Sequence, residues 1–314
     1  MGRSSRQSTI TAALALWVVA AGVIALAQSA PESDPTFKIN VRLARQLVTV
    51  KNAAGDLIGS LNREDFTVID NGVKQEIAVF DRQTAQPLSI TLLIDSSFST
   101  AKDLREERAS FKKFLDALLR QGNTEDAASL YSFSGQVTLL NAFTRRIARI
   151  EQSLDQLVAE PGTSMYDALY LSTSELNRRE GRHVIVAVTD GVDTTSKKKY
   201  RDALQSVLNA EAVLYPIVIV PITNPAGRNT GGEHALETLA QSTGGRTFYP
   251  LIGAQLDETF DQILRDLRTQ YVIAYYPKGV AAGRNSFHRI RIEVPARKDL
   301  RISTRTGYYE FDTP

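Results

Sequence analysis

Between Pro87 and Gln270, short continuous apolar runs alternate with stretches whose apolar residues recur at helical spacing, and this alternation restricts the fold more than any other feature. SITLLID (Ser89 to Asp95) precedes a helical stretch from Ala101 to Arg120, striped with Leu104, Phe111, Phe114, Leu115, Leu118 and Leu119. AASLYSF (Ala127 to Phe133) is followed by predicted helices from Ile147 to Leu157 and from Tyr166 to Asn177. HVIVAV (His183 to Val188), a helix from Tyr200 to Asn209, VLYPIVIV (Val213 to Val220), a helix from Glu233 to Ser242 and GRTFY (Gly245 to Tyr249) continue the pattern. A last helix, Leu256 to Thr269, carries Leu256, Phe260, Ile263, Leu264 and Leu267 on one stripe. Apolar strands separated by amphipathic helices predict an α/β fold of Rossmann-like, doubly wound form: a mainly parallel sheet flanked by helices on both faces.

On either side the period switches to two. FKINVRLARQLVTV (Phe37 to Val50) alternates, and FTVI and EIAVF bracket Asp70-Asn71-Gly72, where Asn-Gly tolerates the positive φ angles of a tight hairpin turn. Asn62, three residues before Asp65, predicts a short capped helical turn. After the last helix, YVIAYY, FHRIRIEV and LRISTRTGYYEF are strand patterns. Neither flank is long enough to bury a sandwich alone, so residues 37–86 and 271–314 are expected to pair into one small all-β domain with the α/β domain, residues 87–270, inserted between them.

Arg3 and Arg6 precede an apolar run from Ala12 to Ala27 that ends in Ala25-Leu26-Ala27, the small-x-small pattern of a signal-peptidase site. Residues 1–27 are therefore read as a signal peptide and 28–36, with PESDP, as a linker, which implies an exported protein: periplasmic, cell-surface or secreted. The alternative is an uncleaved anchor, since the run falls only a little short of a ~20-residue membrane span, and membrane attachment is expected only in that case. Lys and Arg number 37 against 35 Asp and Glu, and loss of Arg3 and Arg6 would balance them, which argues against a nucleic-acid partner. The absence of cysteine excludes disulfides, thiolate metal sites and a cysteine nucleophile.

In a doubly wound sheet, ligands bind beyond the carboxyl ends of the strands. Asp95-Ser96-Ser97-Phe98-Ser99 follows the first core strand, Asp190-Gly191-Val192-Asp193 follows HVIVAV, and Gly162-Thr163-Ser164 precedes the helix near Tyr166. Every ligand atom they offer is oxygen. Two carboxylates with three hydroxyls suit a hard divalent cation, above all Mg²⁺, with Mn²⁺ or Ca²⁺ as substitutes. Taken singly each residue also reads as a helix cap, and Asp193 reads more readily as a turn former than as a ligand.

Asp95-x-Ser97-x-Ser99, Thr163 in GTSMYDAL and Asp190 in VTDG together resemble the metal-ion-dependent adhesion site of von Willebrand factor A-type domains, in that family's order. The resemblance spans about Pro87 to Gln270. Glu64-Asp65-Phe66, Asp70-Asn71-Gly72, Tyr275-Tyr276, Phe287 to Val294 and Arg305 to Tyr309 are similar to the β segments flanking the A domain in exported bacterial proteins of that superfamily. The resemblance implies that Ser97, Ser99 and Thr163 ligate through their hydroxyls, and that Asp95 and Asp190 bind directly or through water. It also implies that a carboxylate of a partner protein completes the coordination, making the chain a non-enzymatic adhesion or protein-binding module. In related A domains the C-terminal helix can shift on ligand binding, which would link the site to the β domain.

The competing class is a metal-dependent hydrolase or phosphatase using the same oxygen cluster. Position 97 is Ser where a phosphoryl-accepting aspartate of the haloacid-dehalogenase kind needs a second acid. There is no G-x-S-x-G elbow and no G-x-x-x-x-G-K loop, and His183, His234 and His288 fall at a strand start, in a helix and in the terminal β region. No positioned general base is evident, which favours binding over turnover.

Overall fold

The computed structural model describes residues 43–82, 86–100, 104–190, 193–219, 230–281 and 286–310. The expected signal peptide, the linker, the start of the first strand, and Gly191 and Val192 of the site motif lie outside them.

The α/β layer is built on β5 (Leu88–Asp95), β6 (Ala127–Phe133), β7 (Val137–Thr144), β8 (Arg182–Thr189) and β9 (Val213–Val218), in the order β7-β6-β5-β8-β9. All pairs are parallel except β6 with β7. Side-chain alternation divides β5 between two cores. Ile90, Leu92 and Ile94 pack under α1 (Leu104–Leu119), α2 (Ile147–Asp155) and α6 (Ala254–Arg268). Leu93 packs on the opposite side under α3 (Met165–Leu176), α4 (Tyr200–Asn209) and α5 (Thr230–Ser242). Both faces are covered, as the continuous apolar runs require.

Two of the expectations for the α/β layer need correction. GRTFY does not form a strand: only Phe248 bridges to Ile217, and the Gly245 N–H is bonded to the Ala240 carbonyl at the end of α5 at 2.9 Å. Conversely, VTLLNAFT pairs as β7, an antiparallel edge strand that the alternation did not reveal because it contributes to no continuous buried run.

The flanks pair with each other. One antiparallel sheet has the order β12-β1-β10-β4, from Arg301–Ser303, Ala44–Lys51, Tyr271–Tyr275 and Ile77–Arg82. The other has the order β13-β11-β2-β3, from Gly307–Tyr309, Phe287–Glu293, Thr67–Asp70 and Val73–Gln75. Between them Val48, Val50, Phe66, Val68, Tyr271, Ile273, Tyr275, Ile290 and Ile292 form a third core. The hairpin turn is where Asn-Gly places it, with φ of 44° at Asn71 and 86° at Gly72, but its second arm is Val73–Gln75; the EIAVF run expected there pairs as β4 with β10 in the other sheet. The turn at Arg63–Asp65 forms as a 3-10 helix, the Asn62 N–H donating to Asp65 Oδ2 at 2.7 Å.

The sandwich is fastened to the α/β layer. Two residues separate α6 from β10, and Leu47 of β1 and Val272 of β10, opposite each other in register, turn outward into the α1/α2/α6 core. Lys51 pairs with Asp266 of α6 at 2.9 Å, and Arg305 donates from beside β13 to the Arg45 carbonyl at 2.7 Å and the Leu208 carbonyl at 3.3 Å. Among the described residues no helix is long and apolar enough to cross a membrane.

Inside the sandwich Asp70 is fully buried, accepting from Tyr275 Oη at 2.8 Å, Tyr308 Oη at 3.0 Å and His288 Nδ1 at 3.0 Å. Removing the common acceptor strands three donors. Asp70→Ala is expected to cost about 3–5 kcal/mol, and Tyr275→Phe, which removes one bond, about 1 kcal/mol. Urea unfolding of the two variants measures this; a loss below about 1 kcal/mol for Asp70→Ala would contradict the network's role.

Candidate functional site

All eight residues of β5 are buried, so a strand covered on both faces ends in a carboxylate that is only 1% exposed. Asp95 stands level with Phe133 of β6, and Ile94 with Val188 of β8, so Thr189 and Asp190 arrive beside it at the same sheet edge. Both oxygens of Asp95 are fixed. The Ser97 N–H donates to Oδ1 at 2.9 Å, and the Thr189 hydroxyl donates to Oδ2 at 2.6 Å. Burial pushes the Asp95 carboxyl up from 3.8 to about 6; the bonds from Thr189 and Ser97 oppose that rise, and the charge of Asp190 adds to it.

The loop beyond β5 is closed on itself. Thr100 donates its hydroxyl to the carbonyls of Asp95 at 3.0 Å and Ser97 at 2.9 Å. Within this turn the hydroxyls of Ser97, buried, and Ser99, exposed, meet at 2.9 Å.

Thr163 reaches the same edge through its main chain. The Glu160 N–H donates to the Ser96 carbonyl at 2.9 Å, and Gly135 N–H to the Pro161 carbonyl at 2.9 Å, so the segment before Thr163 is tied to the ends of β5 and β6. Gly162 then turns the chain at φ 84°, where a Cβ would sit 3.0 Å from both Gly135 Cα and Thr195 Cγ2. The Thr163 N–H donates to Thr194 Oγ1 at 2.9 Å, and its carbonyl accepts from the N–H groups of Thr194 and Thr195 at 2.8 and 3.1 Å. One segment thus joins the loops after β5 and β8.

The structure therefore brings Asp95, Ser97 and Ser99 into one hydrogen-bonded turn, sets the charge of Asp190 against Asp95, and anchors Thr163 between the two loops. Asp193 takes the turn role: its Oδ1 accepts from Ser196 Oγ at 2.6 Å and from the Tyr166 N–H at the start of α3. Sequence reasoning missed Thr189, Thr194 and Thr195, which position the others. Their signal was the hydroxyl residues directly flanking the Asp190 motif. Glu160, whose Oε2 accepts from Ser134 Oγ at 2.9 Å, was also missed, having no motif of its own.

Among the described residues no three His, Cys, Asp or Glu side chains converge as a metal-binding group, so a cation at this edge would rest on two carboxylates and the hydroxyls. That set fits a hard cation, and a positive charge there would offset the burial and repulsion acting on Asp95. The histidines stand elsewhere: His183 on the carbonyls of Ala210 and Arg179, His288 on Asp70, and His234 exposed near Glu237. A cleft of about 720 Å³ between β11, β13 and α4 contains none of the five residues.

A raised carboxyl pKa favours the fold while protonated. That contribution is full below pH 3.8 and is lost as pH rises through about 6. Asp95→Asn, which cannot ionise, should therefore gain stability relative to the wild type between pH 4 and pH 7, by about 2–3 kcal/mol in chelator. Urea unfolding across that range tests it. A pH-independent difference would contradict the burial of an ionisable carboxyl at this edge.

Residues 90–192 match the family model of the von Willebrand factor type A domain. A search of curated protein sequences returns no match. Solved structures similar to the chain include the conserved hypothetical protein BatB from Bacteroides thetaiotaomicron, at 15% identity and TM-score 0.46, covering 57% of this chain and 98% of that one. The vWF domain of the type V pili tip protein Mfa5 from Porphyromonas gingivalis is similar at 13% identity and TM-score 0.48, covering 63% and 99%. The pilus adhesin SpaC from Lactobacillus rhamnosus GG, at 12% identity and TM-score 0.48, covers 67% and 35%. Likeness at this level carries no statement about activity. The match over residues 90–192 and the five-stranded, helix-flanked sheet give this part of the chain the α/β fold of a von Willebrand factor type A domain.

Proposed function

We propose that the chain is an exported, metal-dependent protein-binding module whose site is a metal-ion-dependent adhesion site formed by Asp95, Ser97, Ser99, Thr163 and Asp190. The observation that carries this reading is the turn at the end of β5, where a buried carboxylate, two touching hydroxyls and the charge of Asp190 crowd together. Such crowding is costly in the absence of a counter-charge and favourable around a divalent cation. Mg²⁺, or Mn²⁺ or Ca²⁺ in its place, would be held by these five residues and would supply a Lewis-acid position for a carboxylate of a partner protein. Thr189 and the Ser97 N–H hold Asp95 in place, and Thr194 and Thr195 do the same for Thr163.

Binding rather than catalysis is the reading favoured, because both oxygens of Asp95 are held, by the Ser97 N–H and the Thr189 hydroxyl, and the three histidines are engaged or placed elsewhere. Export rests on the Arg3/Arg6 and Ala12-to-Ala27 pattern.

Mg²⁺ at about 100 times its Kd should add about 2.7 kcal/mol to the stability of the wild type, seen as a rise in Tm that EDTA reverses. Asp95→Ala should show no such rise. Scanning calorimetry with Mg²⁺, Mn²⁺ and Ca²⁺ checks this, and a wild-type Tm indifferent to all three cations would contradict the proposal.

A further inference from the structure

The cleft of about 720 Å³ between β11, β13 and α4 takes no part in the site described above, and its walls follow from the register of the sandwich. His288, Ile290 and Ile292 of β11 turn inward, the first to Asp70 and the others into the sandwich core, so Phe287, Arg289 and Arg291 stand together on the outer face. Phe287 lies opposite Tyr309, Arg289 opposite Gly307 and Arg291 opposite Ile69. A Cβ on Gly307 would lie 2.5 Å from Phe287 Cζ, so the ring rests over bare backbone and forms a floor. Tyr309 meets that ring edge-on, with 4.9 Å between ring centres. Leu204 and Leu208 of α4 make the facing wall. Wall and floor are tied together: Arg305, two residues before Gly307, donates to the Leu208 carbonyl at 3.3 Å, and the Thr306 N–H donates to the Ser242 carbonyl at 2.9 Å.

The charge of the cleft is one-sided. No Asp or Glu lines it, whereas Arg289 and Arg291 do, about 7 Å apart along the strand. Lys74, exposed and level with Ile69 on β3, adds a third positive charge to the same face. Of the carboxylates nearby, Glu293 accepts from Arg291 Nε at 3.0 Å in an exposed pair of small worth. Asp202 turns back to the Lys199 N–H at 2.9 Å at the start of α4, and Glu310 follows β13 past Tyr309. Arg289 forms no ion pair among the described residues. The cleft thus offers an apolar floor and wall with two guanidinium groups beside them, in a volume within the range of about 300–1,000 Å³ usual for small-molecule sites. The C-terminal half of α4 faces it, and the partial negative charge of that helix end disfavours a dianionic phosphate. A single carboxylate on an apolar body suits both features, since guanidinium groups hold it through parallel hydrogen bonds and its body covers Phe287 and Leu204.

We propose that this cleft is a second binding site, separate from the oxygen cluster, which takes a small amphiphilic carboxylate of the medium- or long-chain fatty-acid kind. The chain lies between the Phe287 ring and Leu204, and the head group is held by Arg289 and Arg291. Such binding needs no cation, because its charge partners are the two arginines, so it stands independently of any metal at Asp95. Both arginines are exposed and belong to none of the three cores, so they can be replaced without opening one.

The probes are octanoate and octanamide, which share a chain and differ in charge, titrated into the full chain in EDTA with NMR detection. Octanoate should bind at one site, about tenfold more tightly than octanamide, as expected for one charge-assisted pair. It should shift the methyl signals of Leu204 and Ile69 and leave those of Ile94 and Val188, beside Asp95, in place. The double variant Arg289→Gln/Arg291→Gln should keep the wild-type Tm and bring the ratio of the two affinities close to one. Equal affinities in the wild type, a preference that survives the double substitution, or shifts confined to the Asp95 edge would overturn the site. Binding to phosphatidylglycerol vesicles with none to monomeric octanoate would overturn it too, and would assign the arginines to a membrane surface.

Discussion

The site depends on one unfavourable placement, a carboxylate at the end of a completely buried strand. β5 is covered on both faces, so Asp95 meets protein rather than water and its charge is costly. Two hydrogen bonds recover part of that cost, from the Ser97 main chain ahead and from Thr189 on the neighbouring strand. The Ser97 bond, with the Thr100 hydroxyl on the carbonyls of Asp95 and Ser97, closes the tight turn after β5, and the turn brings Ser97 and Ser99 together. The cluster thus follows from how the strand is buried, and the sheet supplies the precision that a free loop would lack.

The same sheet connects the site to the β sandwich. α6 packs on the face of the sheet under Ile90, Leu92 and Ile94 and runs after two residues into β10, a strand paired on both sides in the sandwich. Asp266 near the end of α6 is shared by Lys51 and Arg246, and Arg182 of β8 donates to the Leu267 carbonyl. The sandwich is therefore joined to the helix by covalent continuity, apolar packing and buried polar bonds together. A displacement of α6 would have to carry β10 or break these ties.

Much of this was legible before any coordinates. The continuous apolar runs gave the parallel strands because burial on both faces leaves no room for polar alternation, and the Asn71-Gly72 pair gave the hairpin because of its backbone angles. The edge strand β7 was not legible: its residues are mostly half-buried or exposed, so no period dominates. GRTFY misled because its apolar residues look like a strand, whereas the Gly245 N–H is spent on the end of α5 and only Phe248 bridges to β9. At the site, Asp95, Ser97, Ser99 and Asp190 could be picked out by their place after strands and Thr163 by its place before a helix. The threonines that hold them flank the Asp190 motif in sequence, but their roles could not be read there, since the Thr189 hydroxyl reaches Asp95 on the next strand and Thr194 and Thr195 bond the Thr163 main chain, partners that no spacing gives.

The central claim is that the oxygen cluster at the end of β5 holds one divalent cation. Crystals grown with Mn²⁺ and measured at its absorption edge test it most directly. The account predicts a single anomalous peak among Asp95, Ser97, Ser99, Thr163 and Asp190, with only oxygen neighbours at about 2.0–2.6 Å. An ordered site with no peak there, or a peak elsewhere on the chain with this edge empty, would contradict it.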